Sequence, residues 1–198
     1  SVWFVGSSGT ILRWDGAAIV AETSGVANNL NAVWGDSGVV WAVGNSGVCL
    51  KRSGGTWSAV TTGTVQTLLG VWSKGSKVWA CGASGTIIYS DDSGATWSAL
   101  TSGTTENLLA VRGTSPWDVW VGGSSDTLLR YDATGAWAAV PSSTGATYRG
   151  VAPSGAVDDA VAWPLSTQVW ACGTSGTLRS VERSGSYDAG AGLAVSMG

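Results

Sequence analysis

The sequence predicts an all-β protein: a five-bladed β-propeller whose blades are four-stranded antiparallel sheets. Three observations predict it. The motif Val-Trp-x-x-Gly recurs with its tryptophan at 3, 41, 79, 120 and 170, a period of about 40 residues, which is the range of a propeller blade. A second motif precedes the last four copies: Leu30-Asn31-Ala32-Val33, Leu68-Leu69-Gly70-Val71, Leu108-Leu109-Ala110-Val111 and Tyr148-Arg149-Gly150-Val151. Its fifth copy is expected at the far end, in Leu193-Ala194-Val195-Ser196-Met197-Gly198, so that the C-terminal strand joins the N-terminal blade and closes the ring.

Composition fits one domain, 1–198, with blades at about 30–67, 68–107, 108–147 and 148–192, and a first blade that combines 1–29 with 193–198. Charged residues make up 12 % of the chain, about half the usual share. With 30 glycines and 13 tryptophans, this is turn-rich β composition. A net charge of −3 argues against nucleic acid as a partner. No run reaches the roughly 18 apolar residues of a membrane helix, so no membrane insertion is expected. The chain opens at Ser1 with neither initiator methionine nor signal peptide, as expected of a processed chain or an excised domain.

In the first unit, Val2–Gly6 reads as a strand, Gly6-Ser7-Ser8-Gly9 as a turn, and Thr10–Asp15 as the next strand. The Gly-x-Ser-Gly turn recurs at 44–47, 82–85 and 173–176, and the fourth unit has Gly123-Ser124-Ser125-Asp126 instead. These serines are not read as nucleophiles. An activated serine needs a base, the chain has no histidine, and five copies of a nucleophile serve no chemistry. Glycine supplies positive φ at the turn, and Asp126 is a tolerated substitute. In the second unit, alternation puts Trp41 and Val43 on one face.

The third unit is the fullest copy. Its Ser90-Asp91-Asp92-Ser93-Gly94-Ala95-Thr96-Trp97 reads Ser-x-Asp-x-Gly-x-Thr-Trp. Asp92 is expected to bond the turn's backbone amides, Gly94 to take positive φ, and Trp97 to pack the hairpin into the blade. The second and fourth units carry reduced forms, at 51–57 and 131–137. The fifth unit has an insertion, 152–167, that holds Asp158, Asp159 and Trp163.

That octapeptide resembles the Asp-box, the hairpin of the BNR repeat family. With Val-Trp-Ala-Val-Gly and the run from Trp97 to Thr104, the whole unit is similar to the repeats of photosystem II stability/assembly-factor-like proteins. It is similar as well to Trp/Gly-rich repeats of exported bacterial propellers. The resemblance covers nearly the full chain and implies the propeller fold. It does not carry the photosystem role over, because those factors have seven blades and a basic patch, whereas this chain has five units and scattered arginines. Sialidases also carry Asp-boxes, as structural elements.

The five Val-Trp-x-x-Gly tryptophans read as core that packs one blade on the next, since each aromatic buries roughly 150–250 Å². Trp34 and Trp72 share a strand position that holds Arg112, Ala152 and Ser196 in the other units, while the valine before it does not vary. That makes Trp34, Trp72 and Arg112 candidate binding residues on the inner strands, with Trp163 a further exposed anchor. Cys81 and Cys172 read as small core residues in separate blades, and with Cys49 they form neither a disulfide framework nor a metal site.

No pair of carboxylates suited to glycoside hydrolysis is visible. The expected function is therefore a non-enzymatic, cofactor-free scaffold that presents loops to a protein partner, as a possible subunit of a secreted or cell-surface assembly. A lectin with glycan sites between blades is the alternative, with tryptophan stacking and turn hydroxyls supplying the contacts. A sialidase-like hydrolase is a third reading.

Overall fold

A computed structural model describes residues 1–131, 135–153 and 168–182, together with the backbone of a final strand at 194–195. The described residues form five antiparallel sheets with no α-helix, each running in chain order from an inner to an outer strand. The first holds β1 (Val2–Val5), β2 (Ile11–Trp14) and β3 (Ile19–Glu22). The second holds β4 (Leu30–Asp36), β5 (Val39–Gly44), β6 (Cys49–Ser53) and β7 (Thr56–Val60). The third holds β8 (Leu68–Lys74), β9 (Lys77–Gly82), β10 (Ile87–Ser90) and β11 (Ser98–Leu100). The fourth holds β12 (Leu108–Ser115), β13 (Asp118–Gly123), β14 (Leu128–Tyr131) and β15 (Trp137–Ala139). The fifth holds β16 (Tyr148–Pro153), β17 (Gln168–Gly173), β18 (Leu178–Glu182) and β19 (Ala194–Val195).

The repeated motifs account for this arrangement. Val-Trp-x-x-Gly forms the second strand of each full blade, and its final glycine leads into the turn. In that turn the serine and the residue after it both take positive φ: 53° and 69° at Ser8 and Gly9, 51° and 64° at Ser125 and Asp126. Glycine also answers a second constraint there. A Cβ at Gly47 or Gly85 would lie 1.9 Å from the carbonyl oxygen of Thr64 or Thr104. Asp126 meets the same junction differently, as its carboxylate accepts hydrogen bonds from Ser142, Thr144 and Tyr148 and from the Thr144 amide.

The inner strands β4, β8, β12 and β16 share a register shift just after their first residue, between Leu30 and Ala32, Leu68 and Gly70, Leu108 and Ala110, Tyr148 and Gly150. The small residue at the shift allows close approach of the next inner strand. A Cβ at Gly70 would sit 3.2 Å from the Val111 amide nitrogen.

The core lies between blades. Trp41, Val43 and Cys49 on one face of the second sheet pack against Val78, Ala80 and Ile88 of the third. Ala42 and Leu50, on the opposite face, pack on Ile11 of the first. Trp79 and Ile87 meet Val119, Val121 and Tyr131, and Trp120 meets Tyr148, Val169 and Ala171. Each joint thus sets a tryptophan face against a valine face. Trp41, Trp79 and Trp120 are buried as expected. Trp3 is only partly buried, and Trp170 is 37 % exposed because none of the described blades packs on its face. Cys172 shares that face and is exposed, which corrects its assignment to the core.

The expected closure by the C-terminal strand also differs from the pairing observed. Ala194 and Val195 pair with Arg179 and Leu178 as the outer strand of the fifth sheet, and the first sheet has three strands. Spacing gives the reason. Each inner strand places its leading Leu or Tyr three residues before Val, which accommodates the register shift, whereas Leu193 stands two before Val195. The insertion holding Asp158, Asp159 and Trp163 lies outside the described residues.

Candidate functional site

The third-blade hairpin is a hydrogen-bonded cage around Asp92. Its Oδ1 accepts from the Thr96 amide at 2.9 Å and the Ser90 hydroxyl at 2.8 Å, and its Oδ2 accepts from the Thr96 hydroxyl at 2.6 Å. These bonds hold the carboxyl at about 2, well below its ordinary value. Ser90 Oγ in turn accepts from the Gly94 amide at 2.8 Å, and Gly94 has φ +83°. Trp97 meets Trp41 edge to face, with centroids 6.1 Å apart. The Asp92 carboxylate is thus engaged by Ser90 and Thr96 of its own hairpin, while the Ser93 carbonyl accepts from Lys51 of the second blade.

The inner strands carry the candidate binding surface. Trp34 on β4 is half-buried and donates its indole N–H to the Ser73 carbonyl at 3.0 Å. The Arg112 guanidinium, from β12, stacks over the Trp34 ring 4.5 Å from its centroid. Arg112 Nη1 donates to the Val71 and Val111 carbonyls at 3.1 and 2.8 Å. Its pKa is lowered by desolvation. Among the described residues no carboxylate forms an ion pair with it.

Trp72 does not join this surface. It is 3 % exposed, folded over Gly113, where a Cβ would lie 2.6 Å from its ring. A binding role for Trp72 is thereby corrected: its ring is joint packing. Trp163 lies outside the described residues.

Beside Trp34 a cleft of about 450 Å³ opens between β1 and the β4–β5 hairpin, lined by Trp3, Trp34, Gly35, Asp36, Val39 and Val40 among others. Asp36 does not stand free in it, since its Oδ2 accepts from the Gly75 amide at 2.8 Å.

Sequence reasoning missed Glu22. This carboxylate accepts hydrogen bonds from Arg13, Arg52 and the Trp57 indole, all at 2.8 Å. Burial alone would raise its pKa, but the bonds from Arg52, Trp57 and Arg13 prevail and hold it at about 2. The cluster fastens the first blade to the second. Its members come from four strands of two units and obey no repeat, so no pattern announced it. Among the described residues no group of His, Cys, Asp and Glu could hold a metal ion, and no helix is long and apolar enough to cross a membrane.

A family model described as "Photosynthesis system II assembly factor YCF48" matches residues 55–132, the stretch containing the Asp92 hairpin. A search of the curated proteins found no match. Among solved structures, "YCF48 bound to D1 peptide" aligns with a TM-score of 0.65 at 17 % identity, over 97 % of this chain and 63 % of that one. "YCF48 from Cyanidioschyzon merolae" aligns with a TM-score of 0.66 at 16 % identity, over 89 % and 62 %.

The chain is similar to BNR-type β-propellers, the photosystem II assembly factor among them. It spans less than two thirds of the length of either of those structures. The GH74 enzyme of Niastella koreensis also aligns, with a TM-score of 0.55 at 20 % identity, over 87 % of this chain and 28 % of that one. At such identities the likeness is one of fold.

Proposed function

We propose that this BNR propeller is a non-enzymatic scaffold that binds a protein partner during an assembly process, through the inner-strand surface at Trp34 and Arg112. The observation that carries this reading is the Arg112 guanidinium, half-buried on an indole and without a carboxylate in ion-pair reach among the described residues. A partly desolvated cation that lacks a counterion favours an incoming anionic group, and a carboxylate offers charge-assisted hydrogen bonds. A polypeptide can bring one on a side chain or at its C-terminus. That one similar structure is of YCF48 with a D1 peptide supports a polypeptide as the occupant. The glycan-binding alternative has no such support. An exported setting, expected from the low charge, belongs to the same proposal.

The test uses that D1 peptide as the probe, once with a free C-terminal carboxylate and once amidated, read by tryptophan fluorescence. Binding of the free acid, weakened at least about tenfold by amidation or by Arg112→Ala, is the expected result. Equal binding by the Arg112→Ala variant, or no binding by the parent chain, overturns the reading.

A further inference from the structure

A guanidinium presents its N–H donors in one rigid plane. In Arg112, Nη1 spends both of its hydrogens on backbone, donating to the Val71 carbonyl of β8 at 3.1 Å and to the Val111 carbonyl of β12 at 2.8 Å. The Trp34 ring of β4 lies 4.5 Å from the guanidinium, so neighbouring inner strands of three blades hold the group. No negative charge takes part in that anchorage. It leaves the N–H groups of Nε and Nη2, side by side along one edge of the plane, without an acceptor among the described residues.

Other arginines are placed differently. Arg13 and Arg52 donate to the Glu22 carboxylate, and Arg130 faces Asp118 at 3.6 Å. Arg130 Nε and Arg179 Nη1 are sealed from solvent without a hydrogen bond, whereas Nε and Nη2 of Arg112 are not among the sealed atoms. Arg112 therefore combines a fixed plane with an open edge. Two parallel N–H groups on such an edge match the two oxygens of one carboxylate. The charge also matches, because a single cation balances a carboxylate and leaves the second charge of a phosphate monoester uncompensated.

We propose that Arg112 takes one carboxylate of the partner side-on, its two oxygens on Nε–H and Nη2–H, with Trp34 fixing the plane in which they meet. The proposal rests on the protein-binding reading above and specifies how that site tells a carboxylate from other anions. Arg112 is then a residue that lysine does not replace, since an ammonium keeps the charge but has neither the fork nor the flat face.

The test uses the full chain labelled for nuclear magnetic resonance, with the Arg112 Nε–H signal identified by its absence in Arg112→Lys. Acetate is expected to move that signal downfield to a plateau, and chloride or methyl phosphate at equal ionic strength to leave it in place. The D1 peptide is expected to cause the same shift and to bind at least about tenfold more weakly to Arg112→Lys, as to Arg112→Ala. Amidation of the peptide's C-terminus, or of any acidic side chains it carries, identifies the carboxylate that occupies the fork.

An Nε–H signal unmoved by acetate, or moved equally by methyl phosphate, overturns the proposal. So does peptide binding by Arg112→Lys at the parent's strength. If Arg112→Ala then still loses the peptide, a point charge suffices, and the scaffold reading stands without the fork. A peptide that fails to bind the parent chain removes the protein-binding reading, whereas the acetate titration decides the fork on the unmodified protein.

Discussion

A Cβ added to Gly94 would lie 2.3 Å from the six-membered ring of Trp41. The hairpin of the third blade thus rests, through a residue without a side chain, on the tryptophan of the second. The same glycine has φ +83° and donates its amide to Ser90. Three demands converge on one position, and the spelling of the hairpin follows from them: serine to receive the amide, aspartate to hold the loop, glycine to admit the ring.

Gly94→Ala is accordingly expected to destabilise the protein by about 3 kcal/mol, from positive-φ strain and from displacement of a buried indole. Gly54→Ala serves as the control. Gly54 also has positive φ, at +60°, but nothing lies within 4 Å of its Cβ position, so backbone strain alone is expected to cost it about 1 kcal/mol. Equilibrium unfolding in urea distinguishes the two, and equal losses would mean that contact with Trp41 contributes nothing.

Glu22 makes stability depend on pH at the joint of the first two blades. Its carboxyl is held at about 2 against an ordinary value of 4.5. A carboxyl with a depressed folded-state pKa stabilises the fold above the unfolded value, and the contribution is lost as pH falls from about 4.5 towards 2. Its size is on the order of 3 kcal/mol. Glu22→Gln is expected to be less stable at pH 7 and to show a shallower fall in stability through that window. Asp92 is also held at about 2, so the difference between parent and variant is the quantity to measure.

Much of this fold was legible in the sequence because its information is periodic. Val-Trp-x-x-Gly, the inner-strand motif and the turn located the strands, and the spelling of residues 90–97 foretold the cage around Asp92. What escaped was what happens once. Glu22 gathers Arg13, Arg52 and Trp57 from strands whose juxtaposition no single repeat encodes. Trp34 and Trp72 share a motif position yet differ in exposure, since Trp72 lies over Gly113, whereas Trp34 passes Ser73 and stacks under Arg112. Identical letters at one repeat position meet different neighbours in the next blade, and those neighbours decide burial.

That difference makes the two tryptophans separable by mutation. Trp72→Ala empties a fully packed joint and is expected to cost about 4 kcal/mol. Trp34→Ala removes a half-buried ring with one hydrogen bond and a cation–π contact, and is expected to cost about 2 kcal/mol. Thermal unfolding of both variants under one set of conditions tests the ranking. A larger loss at Trp34 would mean that the inner-strand surface holds the blades together rather than facing a partner.

The cysteines report on the outer face of the fifth blade. Cys49 and Cys81 are buried, and desolvation pushes their thiols up to about 12, so neither offers a thiolate to a reagent while the protein is folded. Cys172 occupies the equivalent strand position but is exposed, on the face that also bears Trp170. A disulfide-exchange reagent at pH 8 is expected to modify Cys172 within seconds to minutes and to reach the other two only on unfolding. Mass spectrometry of the labelled peptides identifies which thiol reacted. The outcome bears on architecture as well as reactivity, because a blade seated on Trp170 would cover Cys172 as the third blade covers Cys49. Slow labelling of all three thiols in the native protein would therefore mean that the fifth blade's outer face is occupied in solution, either by the first blade or by a second molecule. The mass of the native protein separates these cases: a monomer with a protected Cys172 has closed on itself, and a dimer has joined end to end.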